Sequence, residues 1–147
     1  MLNWLYLGLA ALSGAAMAIE GSMNAAVGKI LGVLEATLLV HLIGTIAVII
    51  IMVILGTGWA SAGKLGQVPW WAYLGGLLSV VIIYALVLAI PQVGVANATT
   101  AIIVAQISMA VLVDTMGFFG MKRHGFNYYD LLGIALLVIG ARILLIE

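Results

Sequence analysis

Residues 36–56, ATLLVHLIGTIAVIIIMVILG, are the stretch that decides the class of this protein. They contain no Asp, Glu, Lys or Arg, and their one titratable side chain is that of His41. About 20 apolar residues in an α-helix cross the roughly 30 Å hydrocarbon core of a bilayer. The stretch therefore predicts a transmembrane helix.

Four further segments around this stretch have a similar composition. Of the 147 residues, 66% are hydrophobic and 7% are charged, so lipid rather than water is the expected solvent for most of the chain. Glycine and proline interrupt the apolar runs. We expect an all-α integral membrane protein with one domain, 1–147, and five transmembrane helices at about 3–28, 36–56, 70–90, 94–117 and 129–146.

Composition also excludes several classes of function. The formal net charge is zero and no basic run occurs, so nucleic acid is not an expected partner. The chain has no cysteine, which excludes disulfides and thiolate metal sites. No nucleophile–base pair or metal-ligand cluster stands out, so we predict neither an enzyme nor a cofactor. The N-terminal stretch lacks the basic start of a signal peptide, which favours a first membrane span.

The connections suggest how the chain inserts. If the spans alternate, one side of the membrane receives all four tryptophans: Trp4, Trp59, Trp70 and Trp71. That side carries three basic residues and the other carries two, namely Lys64, Lys122 and Arg123 against Lys29 and Arg142. Because Lys and Arg in short loops set orientation, so small a bias specifies no single one.

Two interpretations of this weak bias stay open. In the first, copies insert both ways and pair as an antiparallel homodimer, an inverted 5+5 arrangement. Such a dimer provides the inverted-repeat symmetry that secondary transporters use for alternating access. In the second, the chain is a weakly biased monomer whose orientation is fixed by other factors.

Glu20 is the main candidate for a functional residue inside the membrane. It lies sixteen residues after Trp4, about 24 Å along a helix, and Asn24 follows on the same face. Intramembrane carboxylates usually face an interior or an aqueous cavity, which predicts a proton-coupling or substrate-binding role. The alternative is an interfacial acid that extends to the headgroups near Lys29.

Other polar residues within the apolar segments are weaker candidates. Tyr84 and Gln106 are predicted to line the same cavity, although Gln106 could instead hold two helices together. His41 and Asp114 are secondary candidates: His41 could relay protons or be an ordinary hydrogen-bonded histidine, and Asp114 could instead pair with Lys122 or Arg123.

Two glycines on the last helix are candidates for dimer packing. Gly133 and Gly140 are seven residues apart and share a helix face, and small residues allow helices to approach closely in membranes. Packing within one chain is the alternative.

Three strings resemble one family. They are PWWAYLGGLLSVVIIYALVLAIPQVGVA, AQISMAVLVDTMGFFG and LLGIALLVIGARIL, joined by Glu20-x-x-x-Asn24, Gly28 and Ile43-Gly44-Thr45. They are similar to the YdcZ-like five-helix bacterial membrane proteins of the drug/metabolite transporter superfamily. The resemblance covers nearly the whole chain.

The resemblance implies small subunits that pair antiparallel, as homodimers or as oppositely oriented heterodimers, in a transporter of the bacterial plasma (inner) membrane. Glu20 departs from the family pattern, which usually has glutamine there, and Ala105 stands where a glycine is usual. A looser resemblance to the four-helix small multidrug resistance proteins implies a helix-1 glutamate that binds protons and cationic drugs in competition.

These observations together predict a dual-topology secondary transporter. It would be a multi-pass protein that exports a small organic cation or metabolite in exchange for protons. Its partners would be the lipid bilayer, the substrate and a second copy of itself. A passive channel or facilitator of the same architecture and a non-transporting accessory protein are the alternatives.

Overall fold

The computed structural model describes residues 4–57 and 61–145, and these residues are helical almost throughout. Five α-helices follow one another: α1 (Trp4–Leu31), α2 (Val33–Ile54), α3 (Leu74–Val93), α4 (Val95–Met116) and α5 (Tyr128–Leu144). Short 3₁₀ helices cover Ala62–Gln67, Trp70–Tyr73 and Phe118–Gly120. The chain divides into two compact units, Met1–Gln92 and Val93–Glu147. Trp59, one of the four tryptophans predicted to lie on one side of the membrane, is outside the described residues.

The first unit is held together by small side chains. On α1 the buried residues are Gly21, Asn24 and Ala25. Val87 and Ile90 of α3 are buried as well, and their side chains lie over the glycines of α1, Val87 at Gly28 and Ile90 at Gly21. On α2, Ala36 and Thr37 are buried, and Ala36 also lies close to Gly28. Gly28 therefore marks the point where α1, α2 and α3 meet.

The end of α1 corrects a prediction. The run 28–32 was expected to break the first helix, but α1 continues through Gly28 to Leu31 and ends only at Gly32, where φ is 102°. That backbone conformation suits glycine and few other residues. Gly28 has a packing role instead, because its missing side chain makes room for Val87. The helix tolerates this glycine, which lowers helix stability by only about 1 kcal/mol relative to alanine.

The turn between α3 and α4 is also shorter than expected. Pro91 was expected in the turn but lies in the last turn of α3, and only Gly94, with φ of 82°, separates the two helices. Proline has no N–H donor, so one helical hydrogen bond of α3 is lost at Pro91.

The links at Gly32 and Gly94 share a sequence as well as a conformation. Gly-Val-x-x-Ala-Thr occurs at 32–37 and again at 94–99. Both glycines have extended ψ, 160° and 161°, and both accept a hydrogen bond from the alanine four residues later. Both alanines, Ala36 and Ala98, are buried. The chain therefore uses the same helix–glycine–helix device twice.

The second unit consists of α4 and α5, which pack against each other. Gly117 ends α4 in the left-handed conformation. A capping box fixes the start of α5: the Asn127 side chain accepts from the Tyr129 N–H, and the Asp130 carboxylate accepts from the Asn127 N–H at 2.9 Å. This arrangement satisfies backbone donors that a helix start would otherwise leave free.

Among the described residues, four helices are long and apolar enough to cross a membrane: Trp4–Leu31, Val33–Ile54, Trp70–Val93 and Val95–Met116. The helix α5 has 17 residues, which rise about 26 Å and fall short of the roughly 30 Å hydrocarbon core. Most apolar side chains of the helices are exposed on the isolated chain, from Trp4 to Leu144. The protein is thus an all-α membrane protein whose outer surface suits lipid.

Candidate functional site

The structure brings Glu20 and Asn24 into contact on α1. The Asn24 amide donates from Nδ2 to Oε1 of Glu20 at 3.4 Å, one helical turn away. Asn24 is buried, with 5% of its surface accessible, whereas Glu20 is exposed. A buried amide thus holds a carboxylate that projects from the surface of the single chain.

The position of Asn24 follows from its neighbours on α1. Gly21, Asn24, Ala25 and Gly28 have the i, i+3, i+4, i+7 spacing of a single helix face, and this face packs against α3. The small residues let Ile90 and Val87 approach α1 closely. Asn24 therefore has little freedom to move, and it fixes the Glu20 carboxylate from one side.

Glu20 lies well inside α1. It is the seventeenth of the 28 residues, eleven positions before the end of the helix at Leu31. A carboxylate at such a position needs a polar or aqueous environment, because a charged side chain at the centre of a membrane helix costs about 2.5–3.5 kcal/mol on insertion scales. Within the described chain Glu20 has one hydrogen-bond partner, Asn24.

His41 is tied to two helices. Its Nδ1 lies 2.7 Å from the carbonyl oxygen of Thr37, and its Nε2 lies 3.1 Å from Oγ of Ser79 on α3. Oγ of Ser79 is also 2.8 Å from the carbonyl oxygen of Gly76. The imidazole is partly buried and lies near the middle of α2. Sequence analysis missed both partners: Thr37 was visible at i−4, but Ser79 is 38 positions away.

The predicted residue Tyr84 on α3 differs from Tyr73, which lies just before this helix. Tyr84 is exposed, with 38% of its surface accessible, and no hydrogen bond of its hydroxyl occurs among the described residues. Tyr73 precedes α3 and donates its hydroxyl to the Leu65 carbonyl at 2.6 Å, which fastens the connection from α2. Tyr84 shares the first unit with Glu20 and Asn24, without a hydrogen bond to either.

Gln106 and Asp114 belong to the second unit. The side chain of Gln106 is exposed on α4. Asp114 lines a cavity of about 370 Å³ together with His124, Asn127 and Asp130. The alternative, an ion pair with Lys122 or Arg123, does not occur in the described part of the chain, where Arg123 donates from Nε to the Thr115 carbonyl at 2.9 Å. No group of three or more His, Cys, Asp or Glu residues among those described could hold a metal ion.

Gly133 and Gly140 are open positions on α5. A Cβ added to either would meet no described atom within 4 Å, so close packing within the chain does not explain them. Other glycines, such as Gly44 on α2, are equally open, so this geometry does not single out the two.

Comparison with known families places the chain. A family model described as "Putative inner membrane exporter, YdcZ" matches residues 5–143. The chain belongs to the YdcZ family. The match runs from the second residue of α1 to the penultimate residue of α5. No curated protein and no solved structure matches the chain significantly.

Membership of the YdcZ family confirms the resemblance of the three strings quoted above. It also places the protein in the inner membrane, in agreement with its apolar helices. The description of the YdcZ family as exporters points to membrane transport. An exporter family is not a family of enzymes.

Proposed function

We propose that this protein is one subunit of a dual-topology secondary transporter that exports a small organic cation or metabolite in exchange for protons. The subunits pair antiparallel as a homodimer, and α5 serves as a fifth, short span in each. The observation that carries the proposal is the Glu20–Asn24 pair: a carboxylate inside a membrane helix, fixed by a buried amide and exposed on the single chain.

The exposure of Glu20 supports the pairing of two copies. Left against lipid, the charge would be costly, so a second protein surface or an aqueous cavity is expected to cover it. A second copy in the opposite orientation supplies such a surface, together with its own Glu20. The two-fold relation then provides the two equivalent states, each open to one side of the membrane, that alternating access requires.

The chemistry of the pair supports cation–proton exchange. A carboxylate binds either a proton or a cation, and competition between the two couples their movements. The Asn24 amide donates a hydrogen bond to the Glu20 carboxylate and so adds a polar neighbour to this site. In this proposal Asn24 and Tyr84 join Glu20 in binding the substrate, Gln106 on α4 is a further substrate-binding residue, and Asp114 has no assigned role.

Proton release on ligand addition tests the proposal. Purified protein in detergent, weakly buffered, receives tetraphenylphosphonium or tetraethylammonium as a probe cation, and a pH indicator records released protons. Wild-type protein should release protons on binding, and Glu20→Gln should bind without release. Glu35→Gln is the matched control, since Glu35 lies in the first turn of α2 and its side chain folds back towards Gly32.

Flux measurements separate the alternatives. In proteoliposomes, saturable counterflow driven by a pH gradient supports the transporter, and linear flux without coupling indicates a channel or facilitator. Absence of any flux, with a required partner protein, indicates an accessory subunit. Release of protons by both wild type and Glu20→Gln would remove Glu20 from the mechanism.

A further inference from the structure

The number of hydrogens available around His41 can be compared with the number that its contacts require. Three contacts lie in a row: Thr37 carbonyl to Nδ1, Nε2 to Oγ of Ser79, and Oγ of Ser79 to the Gly76 carbonyl. Each contact needs one hydrogen, and both ends of the row are carbonyl oxygens, which only accept. All three hydrogens must therefore come from the imidazole and the serine hydroxyl.

Neutral histidine cannot supply them. A neutral imidazole carries one N–H and a serine hydroxyl carries one O–H, which gives two hydrogens for three contacts. Nδ1 must hold the imidazole hydrogen, because it faces a carbonyl. The Ser79 hydroxyl must then point either to Nε2 or to the Gly76 carbonyl, and the other contact stays without a hydrogen bond.

The protonated imidazole completes the row. Nδ1–H donates to Thr37, Nε2–H donates to Oγ of Ser79, and the Ser79 hydroxyl donates to Gly76. We propose that His41 and Ser79 form a proton-binding site of the first unit, in which Nε2 is the atom that gains and loses the proton. On uptake a proton moves from water to Nε2 and the Ser79 hydroxyl rotates to Gly76; no other bond is made or broken.

The site joins two helices, so its protonation has a structural consequence. His41 is on α2 and Ser79 is on α3, and their contact is a polar bridge between these helices. The protonated form holds the bridge with a charge-assisted hydrogen bond, which is roughly twice as strong as a neutral one. Uptake of a proton therefore tightens the link between α2 and α3.

Other titratable groups lie on the elements of the same unit, and none of them is hydrogen-bonded to the imidazole among the described residues. They are Tyr6, Glu20 and Lys29 on α1, Glu35 on α2, Lys64 in the 3₁₀ helix Ala62–Gln67, Tyr73 before α3 and Tyr84 on α3. Among the described residues, the side chain that hydrogen-bonds to the imidazole is therefore that of Ser79. The inference deepens the proposed function, since a proton-coupled transporter needs proton-binding groups within the membrane, but its test requires no transport.

Nuclear magnetic resonance of labelled histidine tests the site directly. The chain has two histidines, so His124→Gln leaves His41 alone in the full-length protein in lipid nanodiscs. At high pH we expect one neutral tautomer with its proton on Nδ1, although free histidine prefers Nε2. Lowering the pH should protonate Nε2. The reverse variant, His41→Gln, leaves the exposed loop residue His124 as the control, which should show the ordinary tautomer mixture.

Substitution of the serine tests its part. Ser79→Ala should weaken proton binding by His41 about tenfold, because the charged form loses a charge-assisted hydrogen bond. Ser79→Thr keeps a hydroxyl at this position and should retain the wild-type strength of proton binding by His41. Ser108→Ala is the matched control, since Ser108 donates to the Val104 carbonyl at 2.8 Å and has no histidine partner. A neutral His41 with its proton on Nε2, or equal proton binding in Ser79→Ala and wild type, would overturn the proposal, even if cation-driven proton release at Glu20 were observed.

Discussion

Neighbouring residues on one face of α1 have different roles, some in helix packing and one in the candidate site. Gly21 and Gly28 contribute space, whereas Asn24 between them contributes an amide that reaches Glu20. The two functions share one face of α1, because Asn24 is buried between the glycines over which Ile90 and Val87 of α3 lie. A change at either glycine therefore tests whether close packing of α3 supports the candidate site.

Gly28 and Gly21 should respond differently to alanine. A Cβ on Gly28 would overlap Cγ1 of Val87, a branched side chain with little freedom, whereas a Cβ on Gly21 would meet Cδ1 of Ile90 at 2.9 Å, the far end of a flexible one. We expect Gly28→Ala to destabilise the protein by about 1–3 kcal/mol. Gly21→Ala should be near neutral, because alanine also favours the helix by up to about 1 kcal/mol.

The thermal unfolding midpoint in detergent, followed by tryptophan fluorescence, measures both changes. Gly14→Ala is the control, since Gly14 lies on the same helix and a Cβ there meets no described atom within 4 Å. Val87→Ala combined with Gly28→Ala should recover part of the loss by removing the overlapping methyl group. Equal midpoints for Gly28→Ala and Gly14→Ala would show that α3 does not pack on Gly28 as described.

Sequence alone predicted that Glu20 and Asn24 share one face of α1. Glu20 and Asn24 are four residues apart, so their shared face, and hence their hydrogen bond, was predictable from helical geometry. The partner of His41 was not, because Ser79 is on another helix and only the packing of α2 beside α3 brings the two together. The burial of Asn24 was likewise not predictable from α1 alone, because it reflects packing with other helices.

Whole helices show which signals a sequence carries strongly. Apolar runs in the sequence predicted the five α-helices, and four of the described helices also reach the length that a bilayer requires. The ends were harder to place: Gly28 and Gly32 are both glycines near the end of α1, and only the backbone of Gly32 shows where the chain turns. Pro91 was misplaced because proline usually follows the end of a helix, whereas here it lies within the last turn of α3.

The helix α5 provides a prediction about dimerisation. Alanine at Gly133 and Gly140 adds two methyl groups where the single chain has open space, so the fold of the chain should keep its stability or gain slightly. If α5 packs closely against a second copy, the same methyl groups should weaken the dimer roughly tenfold or more.

Energy transfer between labelled subunits in liposomes, diluted with increasing lipid, measures the dimer. Gly44→Ala on α2 is the matched control, because Gly44 is equally open in the single chain. Dimerisation that is unchanged by both alanines on α5 but weakened at Gly44 would move the interface from α5 to α2.

The molecule as a whole has little to fix its orientation. Its three basic residues on one predicted side and two on the other leave a difference of a single charge. The same weak bias that makes insertion ambiguous would, in a mixed population, create the antiparallel pairs in which each Glu20 finds a protein surface. In the proposed dimer, insertion in both orientations would therefore supply the second copy that covers the exposed carboxylate of Glu20.

Orientation can be measured with one added thiol, because the chain contains no cysteine. Ser61→Cys places it in the exposed connection before the 3₁₀ helix Ala62–Gln67 without changing any charge. A membrane-impermeant maleimide applied to intact spheroplasts should label about half of the copies if both orientations are populated, and the remainder should react only after permeabilisation.

Added lysines should move this fraction in opposite directions. Lysine at Gly63 and Gly66, both open positions beside Ser61, should keep that connection in the cytoplasm and reduce labelling from outside. Ile30 and Gln92 are exposed at the C-terminal ends of α1 and α3, on the predicted membrane side opposite Ser61. Lysine at these two positions should reverse the preferred orientation and increase labelling from outside. If transport requires antiparallel pairs, each lysine variant alone should be inactive, and their coexpression should restore activity because it supplies both orientations. Complete labelling or complete protection of the charge-neutral variant would instead show one orientation, and the transporter would then need another partner for Glu20.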